Sequence, residues 1–184
     1  MTACLGKYAG KQIKGVRVKR FGAAVMAVGF VLSCSAARAE SATLEMVKAK
    51  VGEVAALVQA KGKAGAEEAR AIAQFADTYV WVHSADSVMV MHPVKPAMEG
   101  KSNIDMQDAN GKFVFVAFNE MAGTNGAGWV SYVWPKPGQT EPSPKVSYVK
   151  QVKGSDGVEY IIGSGVYDVT PEQVKAAFPV DNVD

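Results

Sequence analysis

Cysteine and histidine are scarce in this sequence, and their scarcity restricts the chemistry that the chain can perform. Its 184 residues include two cysteines, Cys4 and Cys34, and two histidines, His83 and His92. No disulfide can therefore form within residues 35–184, and neither a Cys-x-x-Cys pair, a His-Glu-x-x-His zinc motif nor a Gly-x-Ser-x-Gly nucleophile turn is present. We expect no metal site, no cofactor and no enzymatic activity.

Residues 1–39 have the three parts of a secretory signal peptide. Residues 1–20 contain six basic side chains and no acid, the apolar run 21–34 follows, and Ala37 and Ala39 form a small-x-small site. The run of 14 residues is too short to cross a hydrocarbon core of ~30 Å comfortably. We expect cleavage after Ala39 and export to the periplasm. An uncleaved anchor, or lipidation of Cys34 in its lipoprotein-like context, are the alternatives.

Removing this leader makes the remaining chain acidic. Residues 40–184 contain 13 Lys and Arg against 18 Asp and Glu, which gives a formal net charge of −5. An acidic chain without a basic run is a poor partner for nucleic acid, and we expect no such partner. The length of residues 40–184 suits a single domain with one core that needs no disulfides.

Hydrophobic spacing predicts helices at both ends of this domain. In residues 42–61 the apolar positions recur three and four residues apart, which lines one helix face, and Gly62 suits the C-terminal cap. A second helix is predicted over residues 66–77. Thr170 and Gln173 form a capping box that begins a short last helix.

Alternating residues predict about five strands between these helices, over 79–82, 88–91, 128–134, 146–153 and 160–167. The first two form a hairpin around residues 83–87, which places His83 in a solvated turn. Residues 113–122 are ambiguous, and their local pattern slightly favours a strand.

Several short segments, in a fixed order and spacing, resemble the single Cache domains of the second type. They are residues 79–82 (YVWV), 91–93 (MHP), 96–101 (PAMEGK), 108–112 (DANGK), 128–138 (GWVSYVWPKPG), 144–149 (PKVSYV) and 163–167 (GSGVY). The resemblance implies an α+β, PAS-like fold with a long N-terminal helix on a curved antiparallel sheet. It also implies a helix over residues 113–122, which we adopt against the local pattern.

The resemblance implies a function as well. Such domains are the extracytoplasmic sensors of chemoreceptors and sensor kinases, and many bind small organic acids such as acetate, propionate, lactate or pyruvate. We therefore expect a C2–C4 carboxylate as ligand. Because no transmembrane helix or signalling module follows Val169 in the sequence, we expect the signal to pass to a sensor kinase, chemoreceptor or transporter on another chain.

A small carboxylate requires a cation, hydroxyl or imidazole donors and aromatic walls. Lys145 is the candidate cation, although most lysines lie on the surface. Tyr132 and Tyr148 are candidate hydroxyl donors, with sheet packing as the alternative. His92 either donates to the ligand or fixes the following loop, residues 93–101, through a local hydrogen bond.

Trp81 and Tyr79 share one side of their strand and are candidates for the pocket wall and a pocket hydroxyl, with core packing as the alternative. Trp129 is assigned to the core. A different function is also open: a protein–protein module without a small ligand, which forms a homodimer through the apolar face of helix 42–61. A filled pocket and a solvent-exposed Lys145 would favour that alternative.

Overall fold

The computed structural model describes residues 40–184. The predicted signal peptide, its cleavage after Ala39 and the lipidation of Cys34 therefore concern residues outside the described part, apart from the new N-terminus at Glu40. The described chain contains four α-helices and six strands. The α+β fold class is confirmed, with one short strand more than expected.

Helix α1, Leu44–Lys61, confirms the predicted first helix. The Thr43 hydroxyl caps its start by accepting a hydrogen bond from the Met46 amide at 3.2 Å. Gly62 ends it with φ 56° and ψ −136°, and the Gly62 amide donates to the Val58 carbonyl at 2.7 Å. A positive φ of this kind favours glycine, as expected for a helix C-terminus.

The predicted second helix, residues 66–77, is wrong at both ends. Helix α2, Lys63–Ala69, begins directly after Gly62, and a single 3₁₀ turn, Arg70–Ile72, follows it. The next residues pair as strands β1, Gln74–Phe75, and β2, Thr78–Ser84. Ala76 in the turn between them has φ 46°. Pairing within the sheet overrides the helical pattern here, because it satisfies the backbone of residues 74–79.

The sheet is entirely antiparallel. Strands β3, Met89–Met91, β4, Ala127–Pro135, β5, Pro142–Lys153, and β6, Glu159–Tyr167, complete it. Its order is β1-β2-β6-β5-β4, and β3 pairs with the far end of β2. The predicted hairpin of β2 and β3 is confirmed. Strand β6 lies in the middle of the sheet, between β2 and β5.

Helix α3, Val114–Asn125, replaces the strand that the local pattern of residues 113–122 favours. The helix implied by the resemblance is therefore confirmed. Val114, Phe115, Phe118 and Ala122 are buried and share one helix face. This face packs on the sheet, so tertiary burial decides the conformation of residues that would also suit a strand.

The two faces of the sheet carry separate cores. Helix α1 covers one face with a row of fully buried valines, Val47, Val51, Val54 and Val58. Helix α3 and the aromatic side chains of β2 and β4 fill the other. The apolar face of α1 therefore packs against its own sheet, and a homodimer through helix 42–61, which stays a prediction, would have to use other side chains of that helix.

The last residues of the chain are tied to both α1 and the sheet. Helix α4, Pro171–Ala177, begins at the predicted capping box, which is confirmed. After it, the Asp181 carboxylate accepts hydrogen bonds from the Lys48 amine at 2.6 Å and the Trp129 indole at 2.9 Å. Trp129 is fully buried, as predicted. Within residues 40–184, no helix combines the length and apolarity that crossing a bilayer requires.

Candidate functional site

Lys145 is buried on the α3 side of the sheet, with 1% of its surface exposed. In β5 it lies opposite Tyr132 of β4 and Tyr167 of β6. Its amine lies 3.4 Å from the Tyr79 hydroxyl and 3.2 Å from the Tyr167 hydroxyl. Tyrosines from three other strands, β2, β4 and β6, thus lie around the amine of Lys145 in β5.

Four aromatic rings surround the Lys145 amine. The distances to the ring centroids are 4.4 Å for Tyr79, 4.5 Å for Tyr167, 5.6 Å for Trp81 and 6.0 Å for Tyr132. The faces of such rings carry partial negative charge and attract a cation within about 6 Å. Part of the stabilisation of the ammonium therefore comes from π-electrons.

No acidic side chain of residues 40–184 forms an ion pair with Lys145. The Glu99 carboxylate, in the loop of residues 93–101, already accepts hydrogen bonds from the Arg70 guanidinium at 2.9 Å and the His92 backbone amide at 2.8 Å. Burial, with a smaller contribution from the positive charge of Lys95, lowers the pKa of Lys145 to about 7. The protonated amine is thus a buried charge without a counter-ion, which is costly unless an anion joins it.

A small cleft lies between this aromatic cluster and helix α3. It is lined by Tyr79, Trp81, Met89, His92, Met98, Val114, Phe115, Phe118, Tyr132 and Trp134. Its free volume is about 20 Å³, and on the same measure about 10–15 Å³ already admits a water molecule. Lys145 does not line the cleft, but its amine is close to the rings of three residues that do, Tyr79, Trp81 and Tyr132.

His92 lines the cleft and also fixes the loop that follows it. Its ring Nδ1 accepts hydrogen bonds from the amides of Val94 at 3.3 Å and Lys95 at 3.0 Å. Nδ1 is therefore unprotonated, so in the neutral ring the hydrogen is on Nε2. Burial lowers the pKa of His92 to about 4, and nearby Lys145 adds to this effect. The ring is consequently neutral at pH 7, and Nε2 is a donor without a protein acceptor among residues 40–184.

His83 is not in a solvated turn, and that prediction is wrong. It is fully buried in β2, because the strand extends two residues further than the alternation indicates. Its Nδ1 accepts a hydrogen bond from the Trp81 indole at 3.2 Å, and its Nε2 lies 3.1 Å from the Asn119 side-chain oxygen. Burial lowers the pKa of His83 to about 4. His83 therefore orients Trp81, and it links this wall of the cleft to helix α3.

The tyrosine hydroxyls of the site stay protonated. Burial raises the pKa of Tyr79, Tyr132 and Tyr167 above the ordinary value. The Tyr132 hydroxyl lies 2.9 Å from the Ser147 hydroxyl, and the Tyr167 hydroxyl donates to the Pro135 carbonyl at 3.0 Å. Hydroxyls that keep their hydrogens remain available as donors to an anion.

Five of the six predicted site residues meet at this place: Lys145, Tyr132, His92, Trp81 and Tyr79. Tyr148 does not. It lies three residues from Lys145 in β5, so it points to the opposite face of the sheet. There its ring packs against Trp129, with a centroid distance of 5.1 Å, and the prediction that it shares the pocket is wrong.

Tyr167 is the contact that the sequence analysis missed. The turn at residues 155–157 pairs Lys153 with Glu159, and the same register pairs Lys145 with Tyr167. Counting outward from this turn, in the gap between the predicted strands 146–153 and 160–167, would have placed Tyr167 beside Lys145. Within residues 40–184, no group of three or more His, Cys, Asp and Glu is arranged to hold a metal ion.

These features agree with the comparison to known families. The sequence profile described as single Cache domain 2 matches residues 24–177. The chain belongs to the single Cache domain 2 family. This confirms the family that the segments of residues 79–167 indicate.

Solved structures similar to this Cache domain are sensor domains of chemotaxis proteins. One is a Cache chemosensory domain whose structure explains carboxylic acid recognition; it is 29% identical with a TM-score of 0.58, over 68% of this chain and 92% of that one. Another is a periplasmic sensor domain of a chemotaxis protein, 35% identical with a TM-score of 0.52, over 68% of this chain and 90% of that one. The PAS-like Cache fold is thereby confirmed.

A curated relative of this Cache domain is a whole receptor. The methyl-accepting chemotaxis protein McpP of Pseudomonas putida is 40% identical over 101 residues, which are 53% of this chain. The matched part is 18% of that receptor's length. The Cache domain described here is thus a sensor domain homologous to the ligand-binding domains of chemoreceptors.

Proposed function

We propose that this Cache domain binds a small monocarboxylate of two to four carbons, with Lys145 as the cation. The observation that carries the proposal is the buried Lys145 amine, which has two hydroxyl neighbours and four aromatic rings around it but no counter-ion in the described chain. A carboxylate of this size supplies the missing charge.

In the proposed complex, each neighbour of the Lys145 amine contributes to binding. The carboxylate accepts from the Lys145 ammonium and from the Tyr79 and Tyr167 hydroxyls, and a charge-assisted hydrogen bond is about twice as strong as a neutral one. His92 Nε2 is a further donor at the cleft. The alkyl end of the acid faces the apolar side chains of α3.

The size of the cleft favours the shorter acids in this range. The free volume of about 20 Å³ exceeds what one water molecule needs only slightly. The Lys145 amine does not line the cleft, whereas the neighbouring rings of Tyr79, Trp81 and Tyr132 do. Binding therefore requires movement of at least one ring, and longer acids require more.

Tyr167 connects the binding site to the protein surface near Pro135. Its hydroxyl contacts both the Lys145 amine at 3.2 Å and the Pro135 carbonyl at 3.0 Å. Pro135 ends β4, and residues 136–141 connect it to β5, so a carboxylate that takes over the Tyr167 hydroxyl removes the contact that holds the start of this connection. A ligand changes the population of two states only through its different affinity for them.

We propose that the rearranged surface is recognised by a membrane-bound chemoreceptor or sensor kinase on another chain, in the periplasm. The relatives described above are chemoreceptor domains, one of them periplasmic, which supports this location and this class of partner. N-terminal analysis of the exported protein tests the location, with Glu40 expected as the first residue.

Thermal unfolding of residues 40–184 with acetate, propionate, pyruvate or lactate tests the binding proposal. At a ligand concentration of 100 times Kd, binding adds about 2.7 kcal/mol to the free energy of unfolding. For a domain of this size that raises Tm by about 5–10 °C. Sodium chloride at equal ionic strength is the control. If none of the four acids raises Tm at millimolar concentrations, the proposal fails.

A further inference from the structure

Strand β6, in the middle of the sheet, has glycine at two positions next to the site. Every second residue of β6 points to the same face of the sheet. On the face that contains Lys145 these residues are Ile161, Gly163, Gly165 and Tyr167. Ile161 and Tyr167 fill this face with side chains, whereas Gly163 and Gly165 leave it empty.

The backbone does not require glycine at either position. Neither Gly163 nor Gly165 has a positive φ, so any residue adopts their conformation. Glycine inside a strand lowers stability, and it often marks a place where another group approaches closely. The presence of two glycines in this central strand therefore suggests that neighbouring atoms leave no room for side chains there.

Trp81 occupies the space above Gly163. The two residues are direct partners in the β2–β6 pairing. A Cβ atom on Gly163 would lie 2.7 Å from both Cε2 and Cη2 of the Trp81 indole and closer still to Cζ2. Real Cβ atoms do not approach other atoms this closely, so a side chain at position 163 would displace the indole.

Lys145 and Ser147 occupy the space above Gly165. A Cβ atom on Gly165 would lie 2.8 Å from Lys145 Cε and 2.7 Å from the Val146 carbonyl oxygen, and it would overlap the Ser147 hydroxyl. The Ser147 hydroxyl is also the partner of Tyr132. A side chain at position 165 would therefore disturb both the cation and a wall of the cleft.

We propose that Gly163 and Gly165 are specificity-determining residues, because their missing side chains allow Trp81 from β2 and Lys145 from β5 to lean over β6 and meet. The Lys145 amine lies 5.6 Å from the centroid of the Trp81 ring system as a result. The pair sets the depth of the site and thus the length of acid that fits. This inference rests on the proposed function.

The first test measures binding. Gly163→Ala and Gly165→Ala are compared with the unmodified domain by calorimetry with acetate and propionate. Each substitution is expected to weaken binding at least tenfold, with the larger loss for propionate, because the displaced side chains narrow the cleft. Gly52→Ala is the matched glycine control: Gly52 lies in α1, and a Cβ there meets no atom within 4 Å.

A second control separates loss of binding from loss of stability. Val54→Ala removes two methyl groups of a fully buried side chain on the opposite face of the sheet, so it lowers Tm without touching the site. If the glycine variants bind within twofold of the unmodified domain, or lose no more affinity than Val54→Ala, the inference is wrong.

A double-mutant cycle tests the packing itself and needs no ligand. Trp81→Phe removes the fused second ring whose atoms a Cβ at position 163 would meet. Gly163→Ala is therefore expected to lower Tm in both backgrounds. The decrease should be several degrees smaller in the Trp81→Phe variant than in the unmodified domain. Equal decreases would contradict the proposed role of Gly163.

The two tests keep the inference separate from the proposed function. If the unmodified domain binds none of the acids but the cycle shows coupling between positions 163 and 81, the packing role holds and the ligand assignment fails. If Gly163→Ala alone does not fold, the Tm of the double variant, Gly163→Ala with Trp81→Phe, is compared with the Tm of Trp81→Phe.

Discussion

Tyr79 contacts the Lys145 amine in two ways, with its hydroxyl at 3.4 Å and with its ring centroid at 4.4 Å. The two residues are 66 positions apart in the chain, on strands that are separated by β6. The ring and the hydroxyl together hold a cation that has no carboxylate partner in the described chain. Such a cation suits the anionic ligand proposed above, and we expect four consequences for binding and stability.

Replacing Lys145 by methionine is expected to abolish binding and to stabilise the domain. Methionine fills a similar volume without a charge, so the cost of the buried ammonium disappears. Replacing a buried ion pair with apolar residues of similar volume often adds about 1–4 kcal/mol to stability, and we expect a gain of the same sign for this unpaired amine. Urea unfolding at pH 7 measures this gain, and calorimetry with acetate measures the loss of binding.

Lys153→Met is the control for this variant. Lys153 ends the same strand but is exposed, so its replacement leaves both acid binding and the free energy of unfolding close to those of the unmodified domain. A Lys145→Met variant that binds acetate normally would show that another group holds the anion.

Affinity for the acid is expected to fall as pH rises above about 7. Burial lowers the pKa of Lys145 to about 7, and only the protonated amine attracts a carboxylate. Binding above this pH therefore requires uptake of a proton, and Kd rises by up to tenfold per pH unit. Calorimetry at pH 6, 7, 8 and 9 in buffers of different ionisation enthalpy measures both the affinity and the proton uptake. A constant Kd from pH 7 to 9 would contradict this assignment.

The domain is expected to lose stability between pH 6.5 and about 4. Burial lowers the pKa of both His83 and His92 to about 4, whereas a histidine in the unfolded chain titrates near 6.5. In this window the unfolded chain binds more protons, so the free energy of unfolding decreases as pH falls, by about 3 kcal/mol for His83. Urea unfolding at pH 7, 6 and 5 measures the decrease.

His83→Gln isolates the contribution of one histidine. Glutamine keeps a donor and an acceptor for Asn119 and Trp81 but does not titrate, so the dependence on pH between 7 and 5 becomes shallower. An unchanged dependence in this variant would mean that His83 is protonated in the folded domain.

Tyr132→Phe and Tyr148→Phe are expected to differ, although the two tyrosines lie on neighbouring strands. Tyr132 lines the cleft and its hydroxyl lies 2.9 Å from the Ser147 hydroxyl, so its loss weakens acid binding severalfold. Tyr148 lies on the other face of the sheet, and its variant keeps the affinity of the unmodified domain. Calorimetry with acetate compares the two; weaker binding by Tyr148→Phe would place the ligand elsewhere.

Local sequence patterns succeed here where one element decides its own structure. The spacing of valines in α1, its glycine cap, and the capping box before α4 all depend on residues within one or two turns. The patterns fail where the partner is distant. Residues 74–79 pair as strands, and residues 114–125 become a helix, because the sheet offers more burial and pairing than the local preference supplies.

The sequence by itself determined the family, most of the helices and strands in their order, and the five residues that meet around the cleft. Strand alternation also contained the information that Tyr148 faces away from Lys145. Only the tertiary structure decided that the Lys145 amine is buried with no carboxylate partner among residues 40–184, that His83 is enclosed, and that the apolar face of α1 is covered. These properties depend on the distances between strands far apart in the chain, because exposure and charge pairing exist only after the sheet and helices have packed.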